Sequence, residues 1–286
     1  MRPEQISDEQ IQQFILAALD EDIRDGDHTS LACIPADHQS RFGLKVKDYG
    51  VLAGVDLAER VFRHLDPNAK ITINKSDGSD VFYGEYAFEV EGNTRALLMA
   101  ERTVLNTMQR MSGIATLASR FAFEVGDLDV KILDTRKTTP LLRFLEKWAV
   151  RIGGCTNYRW GLYDWIMIKD NHVDASGGIK AAIERAHAYL KEKNMELGIT
   201  VEVRNLVELH EVLEIGGITR IMFDNFEVPI LAEAVATVEG KFETEASGGI
   251  TLRNVRKYAQ TGVDFVSSGA LTHSANPLDL SFKVIK

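Results

Sequence analysis

Residues 200–225, TVEVRNLVELHEVLEIGGITRIMFDN, decide the fold. An apolar run at 200–203 passes into a helix-length stretch and a glycine pair, and a second apolar run at 220–223 stops at Asp224-Asn225. Short β-rich runs alternating with helical sequence are the mark of parallel strands joined by crossover helices. The same texture recurs outward from this unit, with runs at 130–133 and 165–168 before it and at 242–246 and 264–266 after it. Each run is followed by polar, charged or glycine residues: Asp134-Thr135-Arg136-Lys137, Lys169-Asp170-Asn171-His172, Glu202-Val203-Arg204-Asn205, Asp224-Asn225, Ser247-Gly248-Gly249 and Ser267-Ser268-Gly269. In β/α barrels that C-terminal rim is where the active site is built. A doubly wound sheet would carry a G-x-G-x-x-G at its first βα turn, and none opens a βα unit here. Six runs rather than eight predict an open, incomplete β/α barrel.

The N-terminal part reads differently. Ser7-Asp8-Glu9-Gln10 forms a capping box, and Ile11, Phe14, Ile15, Ala18 and Leu19 at helical spacing predict a helix over 8–22. Runs at 41–47, 70–74 and 86–91 predict strands, with a helix over 55–65 between them. Helical sequence resumes over 94–124 and is expected to stop or kink at Ser112-Gly113, where the domain boundary is placed. The expected class is therefore α/β, with an N-terminal α+β sandwich-like domain over 1–111 and the barrel over 112–273.

Composition narrows the function. The 286 residues are 45% hydrophobic and 26% charged, with Gly 22 and Pro 6, which excludes a disordered or collagen-like chain. Cys33 and Cys155 lie far apart, signalling neither a disulfide framework nor a zinc site and suggesting a reducing compartment. The polar start and the lack of any long apolar stretch predict a cytoplasmic protein without a membrane partner. A net charge of −9 argues against nucleic acid. Between Lys131 and Lys169, however, eight basic residues stand against three acidic ones, a local net of +5 that invites an anionic ligand. Arg143, Lys147 and Arg151 recur at helical spacing and read as solvated helix charges.

The other cations carry the chemistry. Arg136 and Lys137, flanked by Thr135, Thr138 and Thr139, can hold a carboxylate bidentately through the arginine while the lysine meets a phosphate. Arg159 follows a glycine-led loop, and Lys169 ends an apolar strand where a solvated lysine is least expected. The Ser247-Gly248 and Ser268-Gly269 ends have the composition of phosphate cradles, each with a helix N-terminus expected behind it. Glu202 and Asp224 end successive strands. They can bind ribose hydroxyls, help hold Mg²⁺, stabilise a cationic sugar transition state, or simply pair with nearby cations. His172 has no partner at ligand spacing and reads as a hydrogen-bonded supporting residue.

Taken together, the strings Asp134-Thr135-Arg136-Lys137-Thr138, Lys169-Asp170-Asn171-His172, Phe223-Asp224-Asn225-Phe226 and Ser268-Gly269-Ala270-Leu271-Thr272-His273 resemble the quinolinate phosphoribosyltransferase family, and Glu101-Arg102-Thr103-Val104-Leu105-Asn106 resembles its helix. The resemblance covers almost the whole chain in order. It implies an enzyme of NAD synthesis that joins quinolinate to phosphoribosyl pyrophosphate (PRPP) with Mg²⁺, giving nicotinate mononucleotide, pyrophosphate and CO₂. It further implies that Arg102, Arg136, Arg159 and Lys169 clamp the quinolinate carboxylates. Thr135, Lys137, Glu245, Ser247, Gly248, Ser267, Ser268 and Gly269 would complete the substrate contacts. Lys137, Glu202 and Asp224 would be the catalytic groups, with Mg²⁺ held mainly by PRPP near the two carboxylates. The family is a homodimer in which the Arg102 helix reaches the neighbouring subunit's site, and the tail, 274–286, returns to the first domain.

One position departs from the family. Where it usually reads Gly-Gly-Gly-x-Asn-His-Arg, this chain has Gly153-Gly154-Cys155-Thr156-Asn157-Tyr158-Arg159. Tyr158 keeps a hydroxyl but cannot carry a positive charge, so Tyr158→His is expected to tighten quinolinate binding modestly. Cys155 reads as a small residue in a tight loop. Two competing functions stay open at this point: a phosphoribosyltransferase for a monocarboxylate such as nicotinate, and a non-catalytic relative that keeps the anion pocket.

Overall fold

The computed structural model describes residues 2–285, so the outermost residue at each end of the expected ranges lies outside it. The elements in chain order are α1 (Asp8–Ile23), α2 (His28–Cys33), β1 (Gln39–Val46), β2 (Gly50–Val51), α3 (Val55–Leu65), β3 (Lys70–Ile73), β4 (Asp80–Val81), β5 (Tyr86–Asn93) and α4 (Thr94–Glu124). There follow β6 (Lys131–Leu133), α5 (Arg143–Ile152), β7 (Ile166–Ile168), α6 (Asp170–Ser176), α7 (Ile179–Lys193), β8 (Ile199–Val203) and α8 (Leu206–Ile215). The last are β9 (Arg220–Asp224), α9 (Val228–Val238), β10 (Glu243–Ser247), α10 (Val255–Ala259), β11 (Phe265–Ser267), α11 (Ala270–His273) and β12 (Leu280–Val284).

The chain divides into two compact units. The first comprises Met1–Ser119, Thr139–Gly154 and Ala275–Lys286, and the second Arg120–Thr138 and Cys155–Ser274. This division cuts α4 between Ser119 and Arg120 and assigns α5 to the first unit, whereas a cut at 111/112 leaves α5 with the barrel.

In the first unit, an antiparallel sheet has the strand order β12-β1-β5-β3, so the chain's last strand completes it, and β2 pairs with β4. Along β5, Phe88 and Val90 are buried on one face and Ala87 on the other. Phe282 stacks on Phe42 at 4.8 Å and on Phe62 of α3 at 5.6 Å, which seals the helix to the sheet. The Ser7 hydroxyl accepts from the Gln10 backbone N–H and fixes the start of α1, whose buried stripe is Ile11, Ile15 and Leu19.

The expected break at Ser112-Gly113 does not occur: α4 runs unbroken for 31 residues. The serine hydroxyl instead accepts from the Ala53 backbone N–H and donates to its C=O, and a Cβ at Gly113 would lie 2.0 Å from the Asn276 carbonyl oxygen. Both residues answer to tertiary neighbours, which override local helix preference. The solvated reading of the α5 cations suits exposed Arg151 but needs correction at Lys147, which is fully buried. Beside it, the buried Glu146 takes the Arg110 guanidinium at 2.8 Å.

In the second unit, six parallel strands are ordered β6-β11-β10-β9-β8-β7. Around a ring, that is sequence order with a single seam between β6 and β7, as an open barrel requires. Alongside β6, Thr156 bridges Leu133 in parallel, its N–H donating to the Ile132 carbonyl at 2.8 Å. Residues 155–158 thus lie on the seam side of β6. Every residue of β8 is buried, Thr200 and Glu202 included, as expected of a strand covered on both faces.

Candidate active site

Strand C-termini set the site. A cavity of about 730 Å³ in the second unit is lined by the residues that follow β6, β7, β9, β10 and β11. Thr135, Arg136, Lys137, Arg159, Lys169, Asp224, Glu245, Ser247, Gly248, Ser267, Ser268 and Gly269 all line it. Two expected residues do not. Glu202 is only 6% exposed and is ion-paired with Lys169, which stands between it and the open space. Arg102 belongs to the first unit, where its side chain is 65% exposed and borders a separate hollow with Phe14, Asn106, Arg110 and Glu146.

Asp134 explains how the cations are held. Fully buried at the end of β6, it accepts from the Asn157 side chain at 2.6 Å and from the Tyr158 backbone N–H at 2.8 Å, tying down the loop that carries Arg159. Burial lowers the Arg159 pKa, and the nearby Arg136 cation lowers it further. Arg136 Nε is buried and has no hydrogen-bond partner among the described residues. Two guanidiniums close enough to repel, one with an unused donor, form a site whose strain an anion relieves.

Glycine serves close approach at two further strand ends. Gly248 has φ +94° and its missing Cβ would fall 2.3 Å from Asn225 Oδ1, while a Cβ at Gly269 would press on Lys137 and His273. Only the second cradle has the helix expected behind it: α11 starts at Ala270, whereas α10 starts at Val255, well past Gly249. The Ser247-Gly248-Gly249 cradle is therefore a glycine loop rather than a helix N-terminus. Asn225, at φ +56°, donates to Asp224 Oδ2 at 2.6 Å and holds that carboxylate at the rim. Asn225, Thr251 and His273 also line the cavity; the signal that could have found them was their place just beyond Asp224, after the glycine pair and at the end of the short α11.

The Tyr158 side chain turns from the loop into the barrel interior. Its hydroxyl lies 2.8 Å from Thr200 Oγ1, and its ring lies 4.9 Å from the Arg220 guanidinium. Burial, then the charge of Glu245, raises the phenol pKa far above the ordinary value. An imidazolium in that place would oppose Arg220, so the tighter binding expected of Tyr158→His does not follow from the structure. That variant is expected instead to show no new pH dependence of quinolinate KM between about pH 5.5 and 7.5, and a lower Tm by several degrees for the lost cation–π and hydroxyl contacts. Melting curves and KM against pH check both; a KM that tightens below about pH 6.5, the ordinary histidine range, would contradict them.

Cys155 is buried, and burial with the nearby Asp134 pushes its thiol up to about 12. A thiol reagent at about pH 8 is expected to label exposed Cys33 rapidly and Cys155 only on unfolding, as peptide mapping would report. His172 Nδ1 accepts from the Lys169 backbone N–H at 3.0 Å and caps α6, a supporting role.

Among the described residues, no group of three or more His, Cys, Asp or Glu forms a cage for Mg²⁺. Asp224, facing the same cavity as the Ser247 loop, suits a hard cation that arrives with phosphate oxygens and takes one protein carboxylate.

Known proteins resemble this chain in sequence and fold. The family described as quinolinate phosphoribosyl transferase matches residues 27–112 with its N-terminal domain and 114–283 with its C-terminal domain. "Quinolinate phosphoribosyltransferase [decarboxylating] 1b" of Nicotiana tabacum is 46% identical over 94% of this chain and 81% of its own. "Nicotinate-nucleotide pyrophosphorylase [carboxylating], chloroplastic" of Arabidopsis thaliana is 46% identical over 96% and 82%. Among solved structures, NadC from Streptococcus pyogenes superposes with a TM-score of 0.92 at 36% identity, over 98% of this chain and 99% of that one.

Proposed function

This chain belongs to the quinolinate phosphoribosyltransferase family, and from that premise we propose that it condenses quinolinate with PRPP, releasing pyrophosphate and CO₂ to give nicotinate mononucleotide for NAD synthesis. The observation that carries the reading to residues is that Arg136 and Arg159 line one cavity together with two Ser-Gly cradles.

The roles follow from charge. Arg136 and Arg159 take the substrate carboxylates and Lys169 assists; Lys137 lies between them and the Gly269 cradle, where it meets phosphate. Ser247, Gly248 and Gly269 present backbone and hydroxyl donors to the phosphates, while Ser268, whose N–H and hydroxyl donate to the Leu133 and Ile250 carbonyls, fixes the turn that carries Gly269. Departure of pyrophosphate leaves positive charge at the anomeric carbon, which Asp224 is placed to stabilise. Held in register, the pyridine nitrogen attacks that carbon, and the ring nitrogen, now cationic, accepts the electrons left by the adjacent carboxylate as CO₂ departs; a proton then adds at the ring carbon. Bound Mg²⁺, with Asp224 as its protein neighbour, would take up charge on the leaving pyrophosphate. Glu202, behind Lys169, sets that lysine's position until substrate competes for it.

Arg102, largely exposed and not among the residues that line this cavity, supports a homodimer in which it completes the neighbouring subunit's site. Both cysteines are free, which supports a reducing location such as the cytoplasm; no helix among the described residues is long and apolar enough to cross a membrane. Equilibrium binding of quinolinate and nicotinate to the wild-type protein tests the clamp. Quinolinate is expected to bind at least tenfold tighter; equal or reversed affinities would remove the dicarboxylate reading.

A further inference from the structure

Arg220, at the start of β9, is a buried cation that phosphate and carboxylate recognition do not use. Its side chain is 7% exposed and its guanidinium lies 3.7 Å from the centre of the Phe265 ring, 4.9 Å from Tyr158 and 5.6 Å from Trp165. It donates to Glu243 at 2.8 Å and to Glu245 Oε2 at 3.2 Å. Glu245 is fully buried yet lines the cavity, and its Oε1 has no hydrogen-bond partner among the described residues. A buried carboxylate oxygen left bare is costly unless something else meets it. In a cavity whose cations serve substrate carboxylates, that oxygen repels an anion. It suits a hydroxyl donor or a developing positive charge.

We propose that Arg220 is a positioning residue: it pins Glu245 by one oxygen and leaves the other facing the positive charge that the reaction creates at the ribose and ring nitrogen. The inference rests on the function proposed above. It also accounts for Tyr158, because a ring with a negative π-face accommodates the guanidinium where a protonated histidine would oppose it.

The groups facing Glu245 come from several elements. Arg220 stands on β9, Glu243 on the same strand as Glu245, and Arg159 and Tyr158 on the seam loop; the hydroxyls of Ser267 on β11 and of Tyr158 also support the Glu245 carboxylate, while its Oε1 keeps no hydrogen-bond partner among the described residues. Burial raises the Glu245 pKa, and the Arg220 charge opposes that rise. Loss of Arg220 must then move protonation of Glu245 to higher pH, carrying the acid limb of the rate with it.

The test is kcat/KM against pH, with quinolinate and PRPP, for wild type, R220Q, R220K, E245Q and the double variant R220Q/E245Q, with a melting curve for each. R220Q is expected to shift the acid limb upward by about one to three pH units, and R220K to return it toward wild type. In the E245Q background, R220Q is expected to leave the remaining profile in place. E245Q alone should lower kcat at least tenfold with quinolinate KM within about threefold, a split that reads the proposal even where R220Q fails to fold. An acid limb unmoved in folded R220Q, the same shift with and without Glu245, or an unchanged kcat in E245Q would overturn it. Wild-type turnover of quinolinate is the control: its absence defeats the family-level reading, whereas its presence with an indifferent limb defeats this inference alone.

Discussion

Replacing Arg136 by alanine is expected to lower kcat/KM for quinolinate by roughly 30- to 5,000-fold, the equivalent of about 2–5 kcal/mol for one partner of a desolvated charge pair at about 1.36 kcal/mol per decade. The magnitude follows from position. Arg136 is half-buried in the cavity wall, its Nε has no protein partner among the described residues, and Arg159 beside it is already disfavoured by burial. Removing Arg136 leaves a substrate carboxylate facing a single guanidinium of unsuitable reach. The loss should appear chiefly in KM if both carboxylates are bound equally in ground and transition states, and in kcat where the second carboxylate must be oriented for departure. Tm is expected to hold or rise slightly, since a like-charge contact disappears. Kinetics within threefold of wild type would take Arg136 out of the site.

The second large effect concerns Arg102. Its side chain is two-thirds exposed and makes a 3.6 Å contact with its neighbour Glu101, a surface pairing of little worth, so alanine there should leave the fold untouched. Activity is nonetheless expected to fall at least a hundredfold, because the resemblance places this arginine in the site of a second subunit. A mixture decides between a shared site and a local effect. In a heterodimer of Arg102→Ala with Arg136→Ala, one of the two sites receives an intact barrel from one chain and an intact Arg102 from the other. Equal mixing followed by subunit exchange should restore about a quarter of wild-type activity, since half the dimers are mixed and each has one whole site. Exchange proven by mass labelling, with no recovered activity, would count against the shared site.

Much of the fold was legible because β/α alternation writes itself in sequence. The runs at 200–203 and 220–223 lie within β8 and β9, the helix over 55–65 coincides with α3, and the Ser7 box opens α1 where expected. Buried parallel strands need continuous apolar residues, and their C-terminal ends need groups that tolerate water or meet ligand, so strand and rim announce each other. What stayed hidden depends on distant partners. Ser112-Gly113 reads locally as a stop, yet α4 continues because Ala53 and Asn276 need those two residues small or polar. Lys147 sits at solvent-like spacing and is fully buried. Asp134 belongs to a string that reads as substrate-binding, but its carboxylate is consumed in holding Asn157 and Tyr158. The partnership of Arg220 with Glu245 spans two strands whose lateral register no local pattern reveals.

The most direct measurement follows carbon and phosphate together: purified protein, Mg²⁺, PRPP and quinolinate labelled in the C2 carboxyl group, with nicotinate as the parallel substrate. The account predicts labelled CO₂, pyrophosphate and nicotinate mononucleotide in equal amounts from quinolinate, and little product from nicotinate. Nicotinate mononucleotide formed from nicotinate alone, or quinolinate bound without any release of CO₂, would contradict it.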